Sequence, residues 1–402
     1  MKKLAICTPG FKPVPALEGG AVEQLTTYIV MENEKTQNYD IDLYTCSNDR
    51  LDNISLKNTH IIQIEDKQKN IFWRVLFALI NRSYRLFKIQ EKKTYIEQAI
   101  ARACLKKKYD MVLVENNMNI FNRIAIGDKD VDMYFHLHNN IDCGDIGKTR
   151  EKACRVVERA RTVIAASDFV KQRLEEVTGA GNVVTVHNCL DEKLFNKAIL
   201  KYEGDKIREQ YVITNKTIMV LFIGRMDCTK GALELIEAIN LLPESINIKC
   251  IVVGNNWFGS KEESEYQVRI KSLAQVWPQR YCFVEYINYD QIPKLYSGAD
   301  IVVIPSRCEE VFGMVALEAM YMGKPVIASK RGALPEVLNE KCAVFIDENN
   351  FVQSLALQLE KLSADEDRRY RMGQAGRERA QTKFYGVDEY YNRINKILAQ
   401  TT

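Results

Sequence analysis

The chain has 402 residues, which is more than one ordinary domain needs and enough for two. A net charge of +3, with 46% hydrophobic and 27% charged residues, predicts a soluble globular protein and gives no reason to expect nucleic-acid binding. No run approaches the about 18 uncharged apolar residues of a membrane span, and the apolar part of the start is too short for a signal peptide. The 11 cysteines form no C-x-x-C pair, which favours free thiols in a reducing cytoplasm over disulfides or zinc.

The first half alternates predicted strands and helices, which indicates an α/β fold with a parallel, doubly wound sheet. Its first apolar runs predict strands at Leu4–Cys7, Ile41–Cys46, His60–Ile64 and Met111–Glu115. After the first strand, the pair Gly19-Gly20 precedes a predicted helix. Glycines there allow the backbone to approach a diphosphate at the helix N-terminus, although most such pairs are simple turns.

Residues 67–93 predict a basic amphipathic helix. At about 100° per residue, one face carries the basic residues Arg74, Arg85, Lys88 and Lys92. The opposite face is apolar and includes Phe72, Val75, Leu79 and Leu86, with Trp73 and Phe77 at its boundary. Such a helix suits an anionic membrane surface, but a helix that covers a sheet shows the same periodicity. Both interpretations stay open.

A further strand is predicted at Met133–His138. Alternation places His136 and His138 on the same face, with His138 and Asn139 at the carboxyl end, where open α/β sheets bind ligands. A lone histidine is more often structural than reactive, but its position at the carboxyl end of a strand makes the two roles about equally common. Ser167, after the next predicted strand, is a plausible N-cap of a helix.

Residues 196–216 are charged and lack strong periodicity, which predicts an irregular linker. The second half then restarts the pattern with a predicted strand at Thr217–Ile223. Gly224-Arg225 follows the strand, and Lys230 comes five residues later at a predicted helix start. Arginine offers a bidentate fork and lysine a point charge, so this loop concentrates positive charge where a diphosphate would bind.

The most informative stretch is Arg307–Ser329, which lies between two predicted buried strands. Glu310 precedes a predicted helix and Glu318 lies about one turn inside it. Carboxylates accept charge-assisted hydrogen bonds from sugar hydroxyls. Backbone N–H groups of Phe312, Gly313 and Met314 at the helix N-terminus suit an anion or a hydroxyl. The stretch therefore predicts a ligand that carries both hydroxyls and phosphate.

The run E-V-F-G-M-V-A-L-E-A-M, which starts at Glu310, resembles the E-x7-E motif of retaining GT-B glycosyltransferases of family 4, also called group 1. The resemblance covers nearly the whole chain, is densest from Leu221 to Ile346, and is of the bacterial surface-polysaccharide type. It implies two facing Rossmann-like domains with parallel sheets and a cleft between them. The expected domains are 1–200 for the acceptor and 201–384 for the nucleotide-sugar donor. The helix at 385–402 should pack back on the first.

The resemblance also implies roles for single residues. Glu310 would bind the donor sugar hydroxyls and Glu318 the ribose, while Arg225 and Lys230 would bind the donor diphosphate. The remaining donor-binding positions are Gly19, Gly20, Phe312, Gly313, Met314 and Ile287. His138 would lie close to the donor sugar as a catalytic group, and Asn139 would contact the acceptor.

The implied reaction transfers a hexosyl or N-acetylhexosaminyl group from a nucleotide-sugar, most simply a UDP-sugar, to a saccharide or lipid-linked acceptor. No cofactor and no metal are expected. We reject two D-x-D patterns, Asp40-Ile41-Asp42 and Asp130-Val131-Asp132, as metal ligands because one opens a strand and the other follows a polar turn. The enzyme is expected in the cytoplasm or at the inner face of the plasma membrane.

Other functions stay open at this stage. A GT-B epimerase would release free nucleotide and sugar, and a non-catalytic subunit would bind a sugar nucleotide without turnover. A phosphorylase would need a pyridoxal-bearing lysine and a longer chain. A dehydrogenase would need G-x-G-x-x-G after a strand, and Gly19-Gly20 does not supply that pattern.

Overall fold

A computed structural model of the chain describes residues 1–67, 70–73, 75, 77–79, 94–141, 146–196, 201–254, 264–285 and 287–400. The contacts divide the chain into two compact units. The first unit comprises Met1–Cys189 and Val387–Thr402, and the second comprises Leu190–Gly386.

The first unit contains a seven-stranded sheet in the order β3-β2-β1-β4-β5-β6-β7, and all its neighbouring strands are parallel. The strands are β1 (Lys2–Cys7), β2 (Tyr39–Cys46), β3 (Thr59–Ile64), β4 (Met111–Glu115), β5 (Asp132–Leu137), β6 (Thr162–Ala165) and β7 (Val183–Thr185). The helices between them are α1 (Ala21–Thr36), α2 (Tyr95–Cys104), α3 (Met118–Gly127), α4 (Ile146–Arg159) and α5 (Asp168–Thr178). The Ser167 hydroxyl accepts the Val170 N–H at the start of α5, which confirms the predicted N-cap.

The second unit contains a six-stranded parallel sheet in the order β10-β9-β8-β11-β12-β13. Its strands are β8 (Ile218–Ile223), β9 (Ile248–Val253), β10 (Tyr281–Val284), β11 (Ile301–Ile304), β12 (Val326–Ala328) and β13 (Ala343–Phe345). Its helices are α6 (Lys201–Gln210), α7 (Ala232–Asn240), α8 (Glu265–Ala274), α9 (Ile292–Gly298), α10 (Met314–Tyr321), α11 (Leu334–Val337), α12 (Phe351–Ala364) and α13 (Glu366–Lys383).

Both sheets change winding direction once. In the first sheet the strand order reverses between β1 and β4, and in the second it reverses between β8 and β11. At such a point the connecting helices leave on opposite faces, and a crevice opens beyond the carboxyl ends of the two strands. The fold therefore offers each unit one ligand-binding position. Both positions coincide with residues that the sequence singles out.

The last helix, α14 (Val387–Ala399), follows the second unit in sequence but belongs to the first. Its buried Tyr390, Tyr391 and Ile394 lie in the same apolar cluster as Leu4 of β1. The Tyr391 hydroxyl also donates to Asn33 Oδ1 on α1 at 3.1 Å. Apolar packing and a buried hydrogen bond thus attach this helix to the first unit.

The segment 196–216 is not the irregular linker that its charged composition predicts, because α6 lies inside it. Arg208 of α6 donates to Asp300 Oδ2 at 2.9 Å, and the same arginine donates to the Thr217 carbonyl at 2.6 Å. These contacts make α6 part of the second unit. The units divide at Cys189–Leu190, whereas the sequence placed the boundary at 200. The reason is that Leu190 and Phe195 are buried in the core of the second unit.

Candidate active site

The predicted phosphate and sugar residues of the second unit lie on two neighbouring loops. Arg225 and Lys230 follow β8, and Glu310 follows β11. These two strands pair directly, with Ile301 opposite Val220. Because their carboxyl ends lie side by side at the switch point, the loops face one crevice.

Lys230 and Glu310 form a close ion pair across this crevice. Lys230 Nζ lies 2.6 Å from Glu310 Oε1, and the Ser306 hydroxyl donates to the same oxygen at 2.5 Å. The Glu310 side chain is 14% exposed, so the pair is shielded from water but reachable from the surface. Ser306 was not identified from the sequence, where it only marked the end of a strand.

Arg225 belongs to the same group of side chains. Its Nη1 lies 3.0 Å from Asp227 Oδ2, and Asp227 in turn accepts a hydrogen bond from the Thr229 hydroxyl. Burial raises the pKa of the Cys308 thiol, and the charges of Lys230, Glu310 and Arg225 also act on that pKa. Arg225 Nη2 also lies 3.5 Å from the Thr229 hydroxyl, and the Thr229 carbonyl accepts the Cys308 N–H at 3.2 Å, so Arg225 lies where the loop after β8 meets the loop after β11.

Gly231 explains why the two loops can approach so closely. Its φ is +74°, and a Cβ built on it would lie 1.9 Å from the Pro305 carbonyl oxygen. A side chain at this position would push the β8 loop away from the β11 loop. The glycine next to Lys230 is therefore a geometric requirement of the ion pair between Lys230 and Glu310.

Glu318 lies inside α10 and is only 5% exposed. The Tyr296 hydroxyl of α9 donates to Glu318 Oε2 at 2.8 Å. Burial raises the pKa of Glu318 to about 7, against the opposing effect of hydrogen bonds from Tyr296 and Tyr289. The Glu318 carboxyl group is thus partly protonated at neutral pH. Its predicted role as the ribose ligand stays a prediction.

The N-terminus of α10 supplies backbone donors. Gly313, with φ +96°, is the N-cap, and the first intrahelical bonds run from Ala316 and Leu317 to its carbonyl. The N–H groups of Gly313 and Met314 lie before the first of these bonds, so the helix itself does not use them.

The other donor-binding predictions in this unit concern backbone groups next to buried side chains. The Phe312 side chain is buried edge-on against Phe384, with ring centroids 5.7 Å apart. Ile287 also packs on the apolar core. Their side chains therefore hold the fold, and ligand contacts through their backbone stay predictions.

In the first unit, His136 of β5 and His138 just after it contact Glu115 of β4. His136 Nδ1 lies 3.1 Å and His138 Nε2 lies 3.2 Å from Glu115 Oε2. The Glu115 and His136 side chains are 0% exposed and that of His138 is 4% exposed. The strand alternation correctly predicts that both imidazoles share a face. The sequence identified Glu115 only as the end of a strand.

The electrostatics of this cluster follow from its burial. Burial by itself would raise the pKa of Glu115, but the neighbouring His136 and hydrogen bonds from both imidazoles lower it to about 2. Burial also disfavours the charged imidazolium and, together with His136, lowers the pKa of His138 to about 4 despite its bond to Glu115. At neutral pH the cluster therefore contains an ionised carboxylate and a neutral His138.

Gly19 and Gly20 lie at the start of α1, as predicted, and both have positive φ. Gly20 is the N-cap, and the Glu23 carboxylate folds back so closely that a Cβ on Gly20 would lie 2.2 Å from Glu23 Oε2. Burial raises the pKa of Glu23. A carboxyl group of this chain thus already lies at the helix N-terminus that was predicted to approach a diphosphate. Asn139 is exposed, in the loop after β5.

The basic positions Arg74, Arg85, Lys88 and Lys92 lie outside the described residues, while most of 71–79 is described and helical. The helix is attached by its aromatic residues: Phe77 is 6% exposed, and the Trp73 ring lies 5.3 Å from that of Tyr95. On the predicted apolar face, Phe72, Val75 and Leu79 are 66%, 53% and 57% exposed, and the neighbouring Ile71 is 68% exposed. Among the described residues, therefore, this apolar face does not pack on the sheet.

Neither D-x-D pattern presents a pair of uncommitted carboxylates. Asp42 is bound by Lys107 Nζ at 2.7 Å and by the Tyr109 hydroxyl at 2.6 Å. Asp132 pairs with Arg161 at 2.7 Å. Among the described residues, no helix is both long enough and apolar enough to cross a membrane.

The chain resembles known glycosyltransferases in sequence. Residues 203–379 match the family described as glycosyl transferases group 1. Spore coat protein SA of Bacillus subtilis (strain 168) is 26% identical over 297 residues, which cover 72% of this chain and 78% of that protein. The lipopolysaccharide 1,2-N-acetylglucosaminetransferase of Salmonella typhimurium is 27% identical over 314 residues, covering 77% of this chain and 75% of that enzyme.

The fold is similar to that of a solved structure, Anabaena Alr3699/HepE in complex with UDP and glucose. The TM-score is 0.77 at 18% identity, and the match covers 100% of each chain. Two doubly wound parallel sheets, each with one switch point, give the chain the GT-B fold, and the sequence relatives identify it as a glycosyltransferase. The match to the glycosyl transferases group 1 family covers residues 203–379, which lie in the second unit.

Proposed function

We propose that this glycosyltransferase moves a sugar from a UDP-sugar to a saccharide or lipid-linked acceptor with retention of anomeric configuration. The observation that carries the proposal is the ion pair of Lys230 and Glu310 at the switch point of the second sheet, with Arg225 on the same loop as Lys230. The HepE structure, which contains UDP and glucose, supports the choice of donor. The Salmonella relative, named for lipopolysaccharide, supports a role in surface-polysaccharide assembly.

The chemistry of these side chains matches the two ends of such a donor. Glu310 accepts hydroxyl hydrogen bonds from the sugar, and Arg225 and Lys230 neutralise the diphosphate. As the glycosidic bond breaks, negative charge grows on the leaving diphosphate. Prearranged cations stabilise that charge more in the transition state than in the ground state. The two cations thus perform the task that a metal ion performs in other transferases, and we expect no metal requirement.

Retention follows in this proposal from transfer on one face of the sugar. The leaving phosphate oxygen takes the proton of the acceptor hydroxyl while that hydroxyl attacks the anomeric carbon. His138, in the first unit, acts as a hydrogen-bonding group rather than as the base. A pKa of about 4 makes the protonated imidazole too strong an acid to keep the proton at neutral pH.

The donor is identified by thermal-shift screening against UDP-, GDP- and ADP-sugars, followed by an acceptor-free hydrolysis assay on each hit. We expect stabilisation by a UDP-sugar, slow hydrolysis, and an unchanged rate when a chelator is added. A preference for GDP- or ADP-sugars would contradict the choice of base. Binding without any turnover, with or without polysaccharide acceptors, would contradict transferase activity.

The exposed apolar side chains between 71 and 79 support a further part of the proposal, which is attachment to an anionic membrane surface at the cytoplasmic face. At about 100° per residue, Ile71, Phe72, Val75 and Leu79 fall within an arc of about 100°. The sequence adds several basic residues between 74 and 92. Apolar insertion combined with basic residues is the pattern of an interfacial helix, and it would bring the enzyme to a lipid-linked acceptor.

Vesicle co-sedimentation tests this attachment. The Ile71→Ser/Phe72→Ser variant, and separately Arg74, Arg85, Lys88 and Lys92 changed to Glu, should lose binding to vesicles that contain anionic lipid. A matched control is Val212→Ser, which removes an apolar side chain that is 80% exposed in the second unit. Unaltered binding of both variants would disprove the membrane role and leave the donor site unaffected.

A further inference from the structure

In the buried cluster of Glu115, His136 and His138, one carboxylate fixes two imidazole rings, which is more than a single reactive histidine requires. One carboxylate oxygen, Glu115 Oε2, lies within 3.2 Å of a ring nitrogen of each histidine. A carboxylate accepts hydrogen bonds and an imidazole nitrogen donates only when it carries a proton. The geometry therefore assigns a proton to His136 Nδ1 and to His138 Nε2. The two rings donate to the carboxylate through different ring nitrogens, and the neutral His138 is held as the Nε2–H tautomer.

The backbone of His138 is fixed by the residue that follows Glu115. Asn116 Oδ1 accepts the His138 N–H at 2.9 Å, and the Asn116 N–H donates to the His136 carbonyl at 2.8 Å. Asn116 has a φ of +50°, which is uncommon for a residue other than glycine and is tolerated by asparagine. Two consecutive residues at the end of β4 thus hold both the ring and the main chain of His138.

We infer that Glu115 is a positioning residue for the transfer reaction. It holds His138 as the Nε2–H tautomer, so that Nδ1 carries the lone pair with which His138 can accept a hydrogen bond from a substrate hydroxyl. His136 donates to the same carboxylate oxygen and restricts the rotation of the carboxylate. This inference rests on the proposed function, in which His138 contacts substrate. It adds the residue that makes His138 an acceptor rather than a donor.

A carboxylate behind a histidine often serves a general base, but this cluster differs in one respect. A base needs a pKa near the working pH, whereas burial and the neighbouring His136 keep the pKa of His138 well below it. The arrangement stabilises a neutral ring of fixed orientation. The expected ligand is therefore a hydroxyl group that donates to Nδ1, on the donor sugar or on the acceptor.

Nitrogen-15 NMR of histidine-labelled protein tests the tautomers directly and requires no ligand. The chain has only 4 histidines, and His60, with a 69% exposed side chain, serves as the internal reference. We expect a protonated Nε2 for His138 and a protonated Nδ1 for His136, and we expect His138 not to titrate between pH 6 and pH 8. In Glu115→Gln this arrangement of protonated nitrogens should be lost. His136→Asn and His138→Asn assign the signals.

Turnover provides the second readout. With UDP-glucose and UDP-N-acetylglucosamine as probes, Glu115→Gln should lower kcat for hydrolysis by about 10²-fold, because a wrong tautomer costs up to about 10⁴-fold in a hydrolytic triad. The KM for the donor should change little. Asp42→Asn is the matched control, since Asp42 is also a buried carboxylate of the first unit but bonds only to Lys107 and Tyr109 among the contacts described above.

The outcomes separate this inference from the proposed function. If His138→Asn abolishes turnover while Glu115→Gln keeps both kcat and tautomers, the positioning role is wrong and the role of His138 stands. If His138→Asn is also fully active, the proposed role of His138 fails. A stoichiometric metal ion bound to purified protein and lost in Glu115→Gln would overturn the inference, because the ligand atoms of the three side chains lie within 4.8 Å of one another.

Discussion

Lys230 and Glu310 lie 80 positions apart in sequence, yet Lys230 Nζ is 2.6 Å from Glu310 Oε1. The two residues were assigned to opposite ends of one donor, the lysine to the diphosphate and the glutamate to the sugar. In the structure the two side chains form an ion pair and neutralise each other. Donor binding must therefore replace part of this ion pair with contacts to phosphate and hydroxyl groups.

The ion pair predicts an asymmetric response to mutation. Lys230→Ala removes attraction for the diphosphate and leaves the Glu310 charge to repel it, so the donor Kd should rise by about 30-fold or more, equivalent to about 2 kcal/mol. The double variant Lys230→Ala/Glu310→Gln should bind the nucleoside diphosphate alone more tightly than the single variant. Isothermal titration with UDP and a UDP-sugar measures both effects. Lys35→Ala, which breaks a comparable pair with Glu32 on α1, is the control.

Glu318 predicts that donor affinity depends on pH. Ribose hydroxyls donate hydrogen bonds to an ionised carboxylate, and a pKa of about 7 means that ionisation of Glu318 is incomplete at neutral pH. Affinity for a UDP-sugar should therefore rise by about tenfold between pH 6 and pH 8. A UDP-sugar diphosphate does not titrate in this range. Glu318→Gln should remove the dependence while Glu310→Gln keeps it, and equal slopes in wild type and Glu318→Gln would contradict the ribose role.

The shifted pKa values of His138 and Glu318 predict opposite effects of pH on the stability of the fold. The pKa of His138 falls from 6.5 to about 4 on folding, so its contribution is present above pH 6.5 and is lost as pH falls to about 4. This loss amounts to about 3 kcal/mol of unfolding free energy. The pKa of Glu318 rises from 4.5 to about 7, so its contribution is present below pH 4.5 and is lost as pH rises through 7.

Denaturant unfolding at pH 4.5, 5.5, 6.5 and 7.5 separates these effects by difference. The unfolding free energy of wild type minus that of His138→Asn should decrease as the pH falls. The unfolding free energy of wild type minus that of Glu318→Gln should increase as the pH falls. Both differences are independent of any substrate. A flat difference for either variant would show that the corresponding side chain titrates normally in the folded protein.

Replacing Gly231 by a residue with a side chain should reduce both stability and donor binding. Gly231→Ala should cost at least about 1–3 kcal/mol, because its Cβ would lie 1.9 Å from the Pro305 carbonyl in addition to the strained φ of +74°. Gly179→Ala is a matched control: its φ is +73°, but a Cβ there meets nothing within 4 Å. Compared with Gly179→Ala, Gly231→Ala should have a lower free energy of unfolding in chemical denaturation and a higher Kd in donor titration. Equal losses in the two variants would show that the close contact does not hold the site.

Much of the second-unit site could be predicted because its residues follow strand ends in sequence. Apolar runs locate β8 and β11, and Arg225, Lys230 and Glu310 come within a few residues of those ends. The side chains that bind these site residues within the protein could not be predicted in the same way. Ser306, Asp227 and Tyr296 are common residue types whose roles depend on side-chain direction, which local patterns do not encode.

One wrong prediction and one open alternative have the same physical origin. The linker prediction for 196–216 relied on charge and weak periodicity, but α6 is a surface helix whose Arg208 is bound to Asp300, 92 positions later. For the segment 71–79, periodicity left open whether the apolar face packs on the sheet or faces a membrane, because it cannot tell which side of a helix faces the protein. Tertiary contacts decided both cases, and sequence periodicity contains no information on them.

The most direct test of the central claim is turnover of Arg225→Ala at saturating UDP-sugar. If Arg225 stabilises charge on the leaving diphosphate, kcat should fall by about 10²–10³-fold while circular dichroism and thermal stability stay close to those of wild type. Near-native turnover by Arg225→Ala at saturating donor would contradict the proposed site.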